Sequence, residues 1–168
     1  EDERDWKAGD NLSEGYPPET FCCSPLQPVR NQGSQGTCAA QSAACMKEWQ
    51  ESRDYGFSGY MSPQFIYNNR VNATTPGMNC RDLMKILSKV GSVSEKRYPY
   101  ETQGNITSNL LEDAMRHRIK GYARVMQMEE LKRAVFETGP CLIAFPVYNH
   151  GVKMWKGSGP RLGGHAMT

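Results

Sequence analysis

A cysteine at the start of a predicted helix is the residue best placed to do chemistry. No Gly or Pro interrupts residues 38–53, and this Ala-rich stretch predicts one long helix with Cys38 in its first turn. The first backbone N–H groups of a helix have no partner inside it, and the helix dipole adds partial positive charge there. A thiolate at that point is stabilised, and a thiolate is a strong nucleophile. Cys38 is therefore a candidate for covalent catalysis.

The loop before this helix contains residue types that suit a reacting carbonyl group. Gly33 and Gly36 let the backbone approach a substrate closely, because neither carries a Cβ. The amide of Gln32 and the first N–H groups of the helix could hold the oxyanion that forms when a carbonyl carbon becomes tetrahedral. The alternative is an unreactive cysteine buried in an Ala-rich helix. The glycine-rich loop favours the functional interpretation.

Two segments together resemble the papain-like, or cathepsin-like, cysteine proteases. Residues 32–40 (QGSQGTCAA) resemble the nucleophile loop of that family, and residues 163–167 (GGHAM) resemble the segment that carries its catalytic histidine. His165 follows Cys38 by 165 − 38 = 127 residues, close to the ~130–150 of the family. Three further segments recur in family order between them, at residues 61–65, 91–100 and 128–140. The resemblance covers residues 24–168.

This resemblance implies a peptidase site with three catalytic residues and no cofactor or metal. His165 would accept the proton of the Cys38 thiol and later give it to the leaving amine. Gln32 and the N–H of Cys38 would form the oxyanion hole. The expected function is hydrolysis of peptide bonds by a thiol protease of papain type.

The resemblance also implies the residues that contact the substrate. Gly77 matches the first glycine of a pair that hydrogen-bonds substrate backbone, and Met78 replaces the second. Cys80 and Ala166 match two positions of a substrate pocket, and their small side chains predict a roomy apolar pocket. The alternative is that Met78 and Cys80 only pack the loop.

Three departures from the family pattern support a competing interpretation. Ala39 stands where the family has Trp, and Gln35 stands where secreted members have a disulfide-bonded cysteine. The chain ends three residues after His165, before the family's Asn that orients the histidine, and its last asparagine is Asn149. A catalytically impaired homologue that binds peptides or a partner in its cleft is therefore the second hypothesis. Transfer of an acyl group by the same thiol stays open as a third.

Composition limits the kinds of partner. The 168 residues are 38% hydrophobic and 23% charged, with a net charge of +2, which is typical of a soluble globular protein. Nothing in this balance favours a nucleic-acid or membrane partner, and no apolar run approaches the ~20 residues of a membrane span. The expected partners are peptide or protein substrates. A propeptide, or a second fragment that completes the β-rich right lobe of residues 117–168, is a further expected partner. The acidic start is unlike a signal peptide, whereas three glycosylation sequons and the resemblance favour a secreted or lysosome-like compartment.

The cysteine pattern predicts neither a metal site nor a regular set of disulfides. If Cys38 is free, five of the six cysteines are left, which is an odd number. Cys22 and Cys23 are adjacent, and no Cys-x-x-Cys occurs, so zinc-ligand spacing is missing.

The order of elements predicts an α+β protein with a papain-like two-lobe fold. Residues 1–20 are a polar lead or propeptide remnant, which could lie in the cleft as an inhibitor and make the chain a zymogen. Residues 21–116 form the helical left lobe with the nucleophile helix. Residues 117–168 form a partial β-rich right lobe with His165, which is incomplete in this chain.

Local signals place the elements within these regions. Helices are expected at 38–55, from Ser62-Pro63 onward, and at 80–90, 108–116 and 127–138. Thr37 or Ser34 is expected to cap the first helix. Strands are expected at 119–125 and, as a buried strand, at 141–145. His117 lies in a run of charges and is expected on a solvated face.

Overall fold

The computed structural model describes residues 5–157 and 159–168, and five helices and two strands account for its regular structure. The helices are α1 (Cys38–Tyr55), α2 (Pro63–Asn68), α3 (Cys80–Lys89), α4 (Ser108–Met115) and α5 (Met128–Thr138). The strands are β1 (Ile143–Val147) and β2 (Gly163–Met167), and a short 3-10 turn spans Ala8–Asp10. Residues 1–4 of the predicted lead and Ser158 lie outside the described residues. None of the described helices is long and apolar enough to cross a membrane.

Side-chain caps explain where three of the helices begin. The Ser62 side chain accepts a hydrogen bond from the Phe65 N–H at the start of α2, and Asn79 accepts from the Arg81 N–H at the start of α3. Thr107 caps α4 in the same way. Helices α1 and α5 begin without such a bond, and at α1 Thr37 occupies the cap position without making a cap hydrogen bond. The prediction of a Thr37 or Ser34 cap is therefore wrong.

Small side chains on α1 allow α2 and α3 to pack closely against it. Four alanines of this helix are at most 2% exposed, and α2 and α3 contact the same face. The cluster is completed by larger apolar residues at Met61, Ile66, Tyr67, Leu83 and Leu87. Each fully buried side chain of that size contributes about 1.5–3 kcal/mol. A second cluster joins Phe65, Val93, Tyr98 and Ala114 beside it.

The sheet is small and more exposed than the sequence predicts. β1 and β2 pair antiparallel, with Phe145 opposite His165. The apolar run at 141–145 does lead into a strand, but Ile143 is 43% exposed, so its predicted burial is wrong. The predicted strand at 119–125 is also wrong, since only Arg124 forms a bridge there, with Lys7. An apolar run indicates a strand but not how many neighbours cover it.

Helix α5 shares this exposure. Of its residues only Ala134 is buried, whereas Met128 is 65% exposed and Phe136 is 44% exposed. The amphipathic pattern of the helix is real, yet the two-stranded sheet covers little of its apolar side. Helices α1, α2 and α3 are therefore well packed, whereas α5 and the two strands are sparsely covered.

The described part of the lead is held against the helices. The Asp5 carboxylate lies 3.1 Å from the Arg81 guanidinium of α3. Further along, the Ser13 N–H donates to the Glu137 carboxylate (3.1 Å), and the Arg133 guanidinium donates to the Ser13 carbonyl (2.9 Å). Asp5 and Ser13 therefore hold this part of the lead on α3 and α5.

Candidate active site

One cleft contains most of the residues that the sequence singles out. Cys38 and His165 both line this cleft, whose volume is about 710 Å³. The four predicted substrate-binding residues line it as well: Gly77, Met78, Cys80 and Ala166. None of residues 5–20 lines it, so the described lead does not occupy the cleft as the sequence suggested. The cleft lies between the start of α1, the loop before α3 and the two strands.

Cys38 occupies the first turn of α1, where the sequence places it. The carbonyl oxygen of Cys38 accepts a hydrogen bond from the Ser42 hydroxyl at 3.0 Å. Its own N–H belongs to the first turn, whose donors have no acceptor inside the helix. The half-buried thiol therefore has helix N–H groups beside it and cleft space in front of it.

A tyrosine hydroxyl fixes the shape of the loop before the nucleophile. Tyr100 donates to the Gln32 carbonyl (2.7 Å), and the Thr37 hydroxyl lies 2.7 Å from the same phenolic oxygen. The loop is thus held at both of its ends by one group. In the sequence Tyr100 only ends the segment 91–100 that recurs in family order, and nothing local identifies this contact.

Gln32 itself points along the loop. Its amide donates to the Gln35 carbonyl at 2.9 Å, and Gln32 is not among the residues that line the cleft. A glutamine amide has two N–H donors, so one remains after this bond. The predicted oxyanion-hole role stays a prediction.

Two glycines in this region are required by backbone geometry. Gly33 has φ +60°, a conformation that residues with a Cβ rarely adopt. A Cβ on Gly36 would lie 2.8 Å from the backbone nitrogen of Gly77. The loop before α1 therefore rests directly on the loop before α3.

Aromatic packing positions His165, which lines the cleft from strand β2. The Phe145 ring meets the imidazole edge-on, with centroids 5.8 Å apart, and meets the Trp155 ring edge-on at 6.1 Å. Within the described residues the imidazole has no hydrogen-bond partner. Asn149, the last asparagine, donates to the carbonyls of Lys153 and Lys156, both at 3.2 Å, and so holds its own loop together.

Strand β2 is attached directly to α1. Ala166, beside the histidine, is buried in the main core cluster with the alanines of α1. The Thr168 hydroxyl donates to the Ser42 carbonyl at 3.0 Å, and the Ser42 hydroxyl donates to the Cys38 carbonyl. These contacts set the position of β2, which carries His165, relative to α1, which carries Cys38.

The buried carboxylate of Glu48 is paired with the arginine that precedes the nucleophile loop. The Glu48 carboxylate of α1 accepts from the Arg30 guanidinium (2.8 Å) and from the Met61 N–H (2.9 Å). Burial nevertheless raises the pKa of Glu48 to about 7, against the opposing effect of Arg30. Arg30 also pairs with Glu95 at 2.8 Å, so it anchors the chain just before the nucleophile loop. In the cleft, burial raises the pKa of the Cys80 thiol, and the nearby charge of Cys38 adds to this.

Sequence reasoning missed several residues of the site and misplaced one. Arg161, Tyr148 and Asn72 also line the cleft. The glycine-rich approach to His165 was a signal for Arg161, whose guanidinium donates to the Gly163 carbonyl at 2.9 Å. The expected solvated position of His117 is wrong, because its Nδ1 lies 2.8 Å from the buried carboxylate of Glu51.

The described residues offer no evident place for a metal ion. Across residues 5–157 and 159–168, no three His, Cys, Asp or Glu side chains are grouped so as to hold one.

Comparison with known proteins gives consistent matches. Residues 19–159 match the family described as papain family cysteine protease. A cathepsin L-like peptidase of Aedes aegypti is 32% identical over an alignment of 142 residues. The alignment covers 76% of this chain and 41% of the relative. The chain thus spans less than half of that relative's length.

Solved structures show the same fold. Xylellain, a cysteine protease from Xylella fastidiosa, superposes with a TM-score of 0.75 at 24% identity, over 99% of this chain and 74% of the other. Digestive procathepsin L 3 of Tenebrio molitor larval midgut superposes with a TM-score of 0.58 at 21% identity, over 86% of this chain and 50% of the other.

Proposed function

The chain belongs to the papain family of cysteine proteases, and we propose that it hydrolyses peptide bonds through a thiolate–imidazolium pair formed by Cys38 and His165. The observation that carries the proposal is that both side chains line the same cleft. The substrates are peptides or proteins.

The first chemical step is attack by the Cys38 thiolate on the carbonyl carbon of a peptide bond. A carbon–sulfur bond forms, and the carbonyl oxygen becomes an oxyanion. The first-turn N–H of Cys38 and the second N–H of the Gln32 amide donate to this oxygen. The bond from the Gln32 amide to Gln35 holds the amide in place. One such donor is worth ~2.7–4 kcal/mol of transition-state stabilisation.

Proton transfer by His165 completes the cycle. The imidazolium gives its proton to the leaving amine as the carbon–nitrogen bond breaks, which leaves a thioester on Cys38. Neutral His165 then takes a proton from water, which attacks the thioester and releases the carboxylic acid. The proton returns to the pair, so the enzyme is regenerated.

The loop before α3 is the proposed edge for the substrate backbone. Gly77 and Met78 would hydrogen-bond an extended peptide, as the family resemblance implies, and Cys80 and Ala166 would line the pocket for one of its side chains. A propeptide, or a second fragment that adds to residues 117–168, is a further proposed partner. In this scheme residues 21–116 form the left lobe, and residues 117–168 form part of the right lobe.

One observation favours a second candidate function, a binding module with little catalysis. The His165 imidazole lacks a hydrogen-bond partner within the described residues, and Ala39 beside the nucleophile buries little surface. A family member with an unoriented histidine would still bind peptides in the cleft.

Selective labelling tests the proposal. We expect an epoxide or vinyl-sulfone electrophile to modify Cys38 much faster than Cys45, because Cys45 does not line the cleft and burial raises its pKa. His165→Ala should slow labelling, and it should lower peptide cleavage by about 10²–10⁴-fold, as loss of a general acid–base does. Cys45→Ser is the matched control and should change neither. Equal labelling of Cys38 and Cys45 would reject the peptidase and leave the binding module.

A further inference from the structure

A second thiol shares the cleft with the nucleophile. Cys38 and Cys80 are the first residues of α1 and α3, and they are the only cysteines that line the cleft. Both are half-buried, and all six cysteines are free thiols. The chemistry proposed above uses one of these thiols and leaves the other without a chemical role.

The two helix starts are held near each other by backbone contact. Gly36 lies two residues before Cys38, and Gly77 lies three residues before Cys80. A Cβ on Gly36 would come within 2.8 Å of the Gly77 nitrogen, so nothing separates the two loops. Beyond the cleft, α1 and α3 share the main core cluster. The charge of Cys38 also raises the pKa of Cys80, second to burial, and such an effect weakens with distance.

We propose that Cys80 is the resolving partner of Cys38, so that a hydroperoxide converts the pair into a reversible disulfide. In the first step the Cys38 thiolate attacks the terminal peroxide oxygen, the O–O bond breaks, and the leaving oxygen takes the proton of the His165 imidazolium and departs as water or an alcohol. Cys38 is then a sulfenic acid, oxidised by two electrons at the expense of the peroxide. In the second step the Cys80 sulfur attacks the Cys38 sulfur, an S–S bond forms, and the S–O bond breaks. The proton lost by Cys80 leaves with that oxygen as water.

The surroundings of Cys80 suit this order of events. Before oxidation, burial and the adjacent charge keep Cys80 protonated, so it does not compete with Cys38 as a nucleophile. A neutral sulfenic acid at Cys38 removes that charge, so ionisation of Cys80 becomes easier at the step that requires it. The resulting disulfide closes the cleft and protects Cys38 from irreversible oxidation.

The other thiols are placed elsewhere. Cys45 lies two turns along α1, away from the cleft opening. The Cys23 thiol contacts the Val135 carbonyl (3.7 Å), and the Cys141 thiol contacts the Gly139 carbonyl (3.6 Å), both around the end of α5. A disulfide from Cys38 to any of these would require rearrangement of the packed helices.

Peptide mapping of oxidised protein tests the proposal directly. The full chain is treated with limiting hydrogen peroxide, digested without reductant and analysed by mass spectrometry. We expect a cross-linked peptide that joins Cys38 to Cys80, and its loss after dithiothreitol. Iodoacetamide labelling of Cys38 should fall after peroxide and return after dithiothreitol.

Variants separate resolution from simple oxidation. In Cys80→Ser and Cys80→Ala, Cys38 should pass to sulfinic and sulfonic acid, so dithiothreitol should no longer restore its labelling. Cys45→Ser is the matched control and should recover as the wild type does. The proposal is overturned if Cys38 couples to a different cysteine, if no cross-link forms, or if both Cys80 variants recover fully. These readouts are masses and labels, so they stand whether or not the chain cleaves peptides.

Discussion

At the scale of single residues, contacts made from a distance decide the geometry of the site. The hydroxyl of Tyr100 holds a loop that lies 68 residues earlier in the chain. The same hydroxyl also forms a hydrogen bond with the Thr37 hydroxyl. The Thr37 side chain is therefore engaged there and does not make the predicted cap hydrogen bond to α1. Cys38 could be selected from the sequence because the signals for its position are local.

Removing the Tyr100 hydroxyl should loosen the nucleophile loop. Tyr100→Phe leaves the Gln32 carbonyl and the Thr37 hydroxyl without this partner, and each unsatisfied buried group costs about 1–3 kcal/mol. We expect a lower free energy of unfolding in urea and slower electrophile labelling of Cys38.

Tyr98→Phe is the matched control for that prediction. The Tyr98 hydroxyl donates to the Gly104 carbonyl and accepts from the Asn68 amide, away from the nucleophile loop. Its loss should also destabilise the fold but should leave the labelling rate per folded molecule unchanged. Equal slowing in both variants would contradict the proposed role of Tyr100.

At the scale of elements, those with signals at both ends were predicted well. Helix α2 begins where Ser62-Pro63 predicts it. Helix α1 ends at Tyr55, and the next residue, Gly56, has the left-handed backbone conformation that is common for a glycine after a helix. The strands were harder to predict, because the same apolar run fits a strand covered by neighbouring elements and a strand that is half exposed to solvent. His117 was misplaced for a related reason, since no local pattern shows that α1 presents a carboxylate to it.

That carboxylate should be one of the main stabilising groups of α1. Glu51 accepts from the Lys47 ammonium (2.7 Å) and from His117, and the side chains of Lys47 and Glu51 are almost fully buried. Burial by itself would raise the pKa of Glu51, but hydrogen bonds from His117 and Lys47 hold it below its usual value. Glu51→Ala leaves a buried ammonium unpaired, which costs about 3–5 kcal/mol.

The measurement is the free energy of unfolding in urea at neutral pH. Asp54→Ala is the matched control, because its pair with Arg53 on the same helix is exposed and should contribute ~1 kcal/mol or less. Comparable losses in the two variants would show that burial does not strengthen the role of Glu51.

At the scale of the whole molecule, the buried Glu48 should make stability depend on pH. Its pKa is about 7 in the folded chain, against 4.5 when unperturbed. A carboxyl group whose pKa is higher in the folded than in the unfolded chain stabilises the fold fully at pH values below its unfolded pKa. This stabilisation is lost as the pH rises through the folded pKa. The contribution should therefore disappear between pH 4.5 and 7, an effect on the order of 3 kcal/mol.

Glu48→Gln should flatten this dependence. The amide oxygen can still accept from Arg30 and from the Met61 N–H, but it cannot ionise. We expect the urea midpoint of the wild type to fall from pH 4.5 to 8 more steeply than that of the variant. Parallel curves for the two proteins would contradict the assignment to Glu48.

The molecule is also uneven in how it covers its apolar side chains. Exposed large apolar residues occur in both halves of the chain, and those that follow α4 are Met126, Met128, Phe136, Ile143, Val152, Trp155, Leu162 and Met167. Such surfaces bind hydrophobic dyes and favour association. The second half of the chain has the fewest local signals in the sequence, because its coverage depends on what packs against it.

Ile143→Lys should therefore reduce binding of the dye ANS and concentration-dependent association in sedimentation. The side chain is on β1 and 43% exposed, so a charge there should not disturb the core. Val71→Lys, at an 86% exposed position in the helical half, should change neither measurement. An isolated chain that binds no dye and stays monomeric would contradict this view of the surface.

The bare contact between Gly36 and Gly77 joins the turn that carries the thiol to the rim along which a peptide would lie. Only main chain and the Pro76 ring meet at this junction, so it contains no flexible side chain that could change rotamer. We expect the two parts to move as one body, which would keep a peptide on the rim aligned with the sulfur. The alignment would then be set by the fold before any peptide binds.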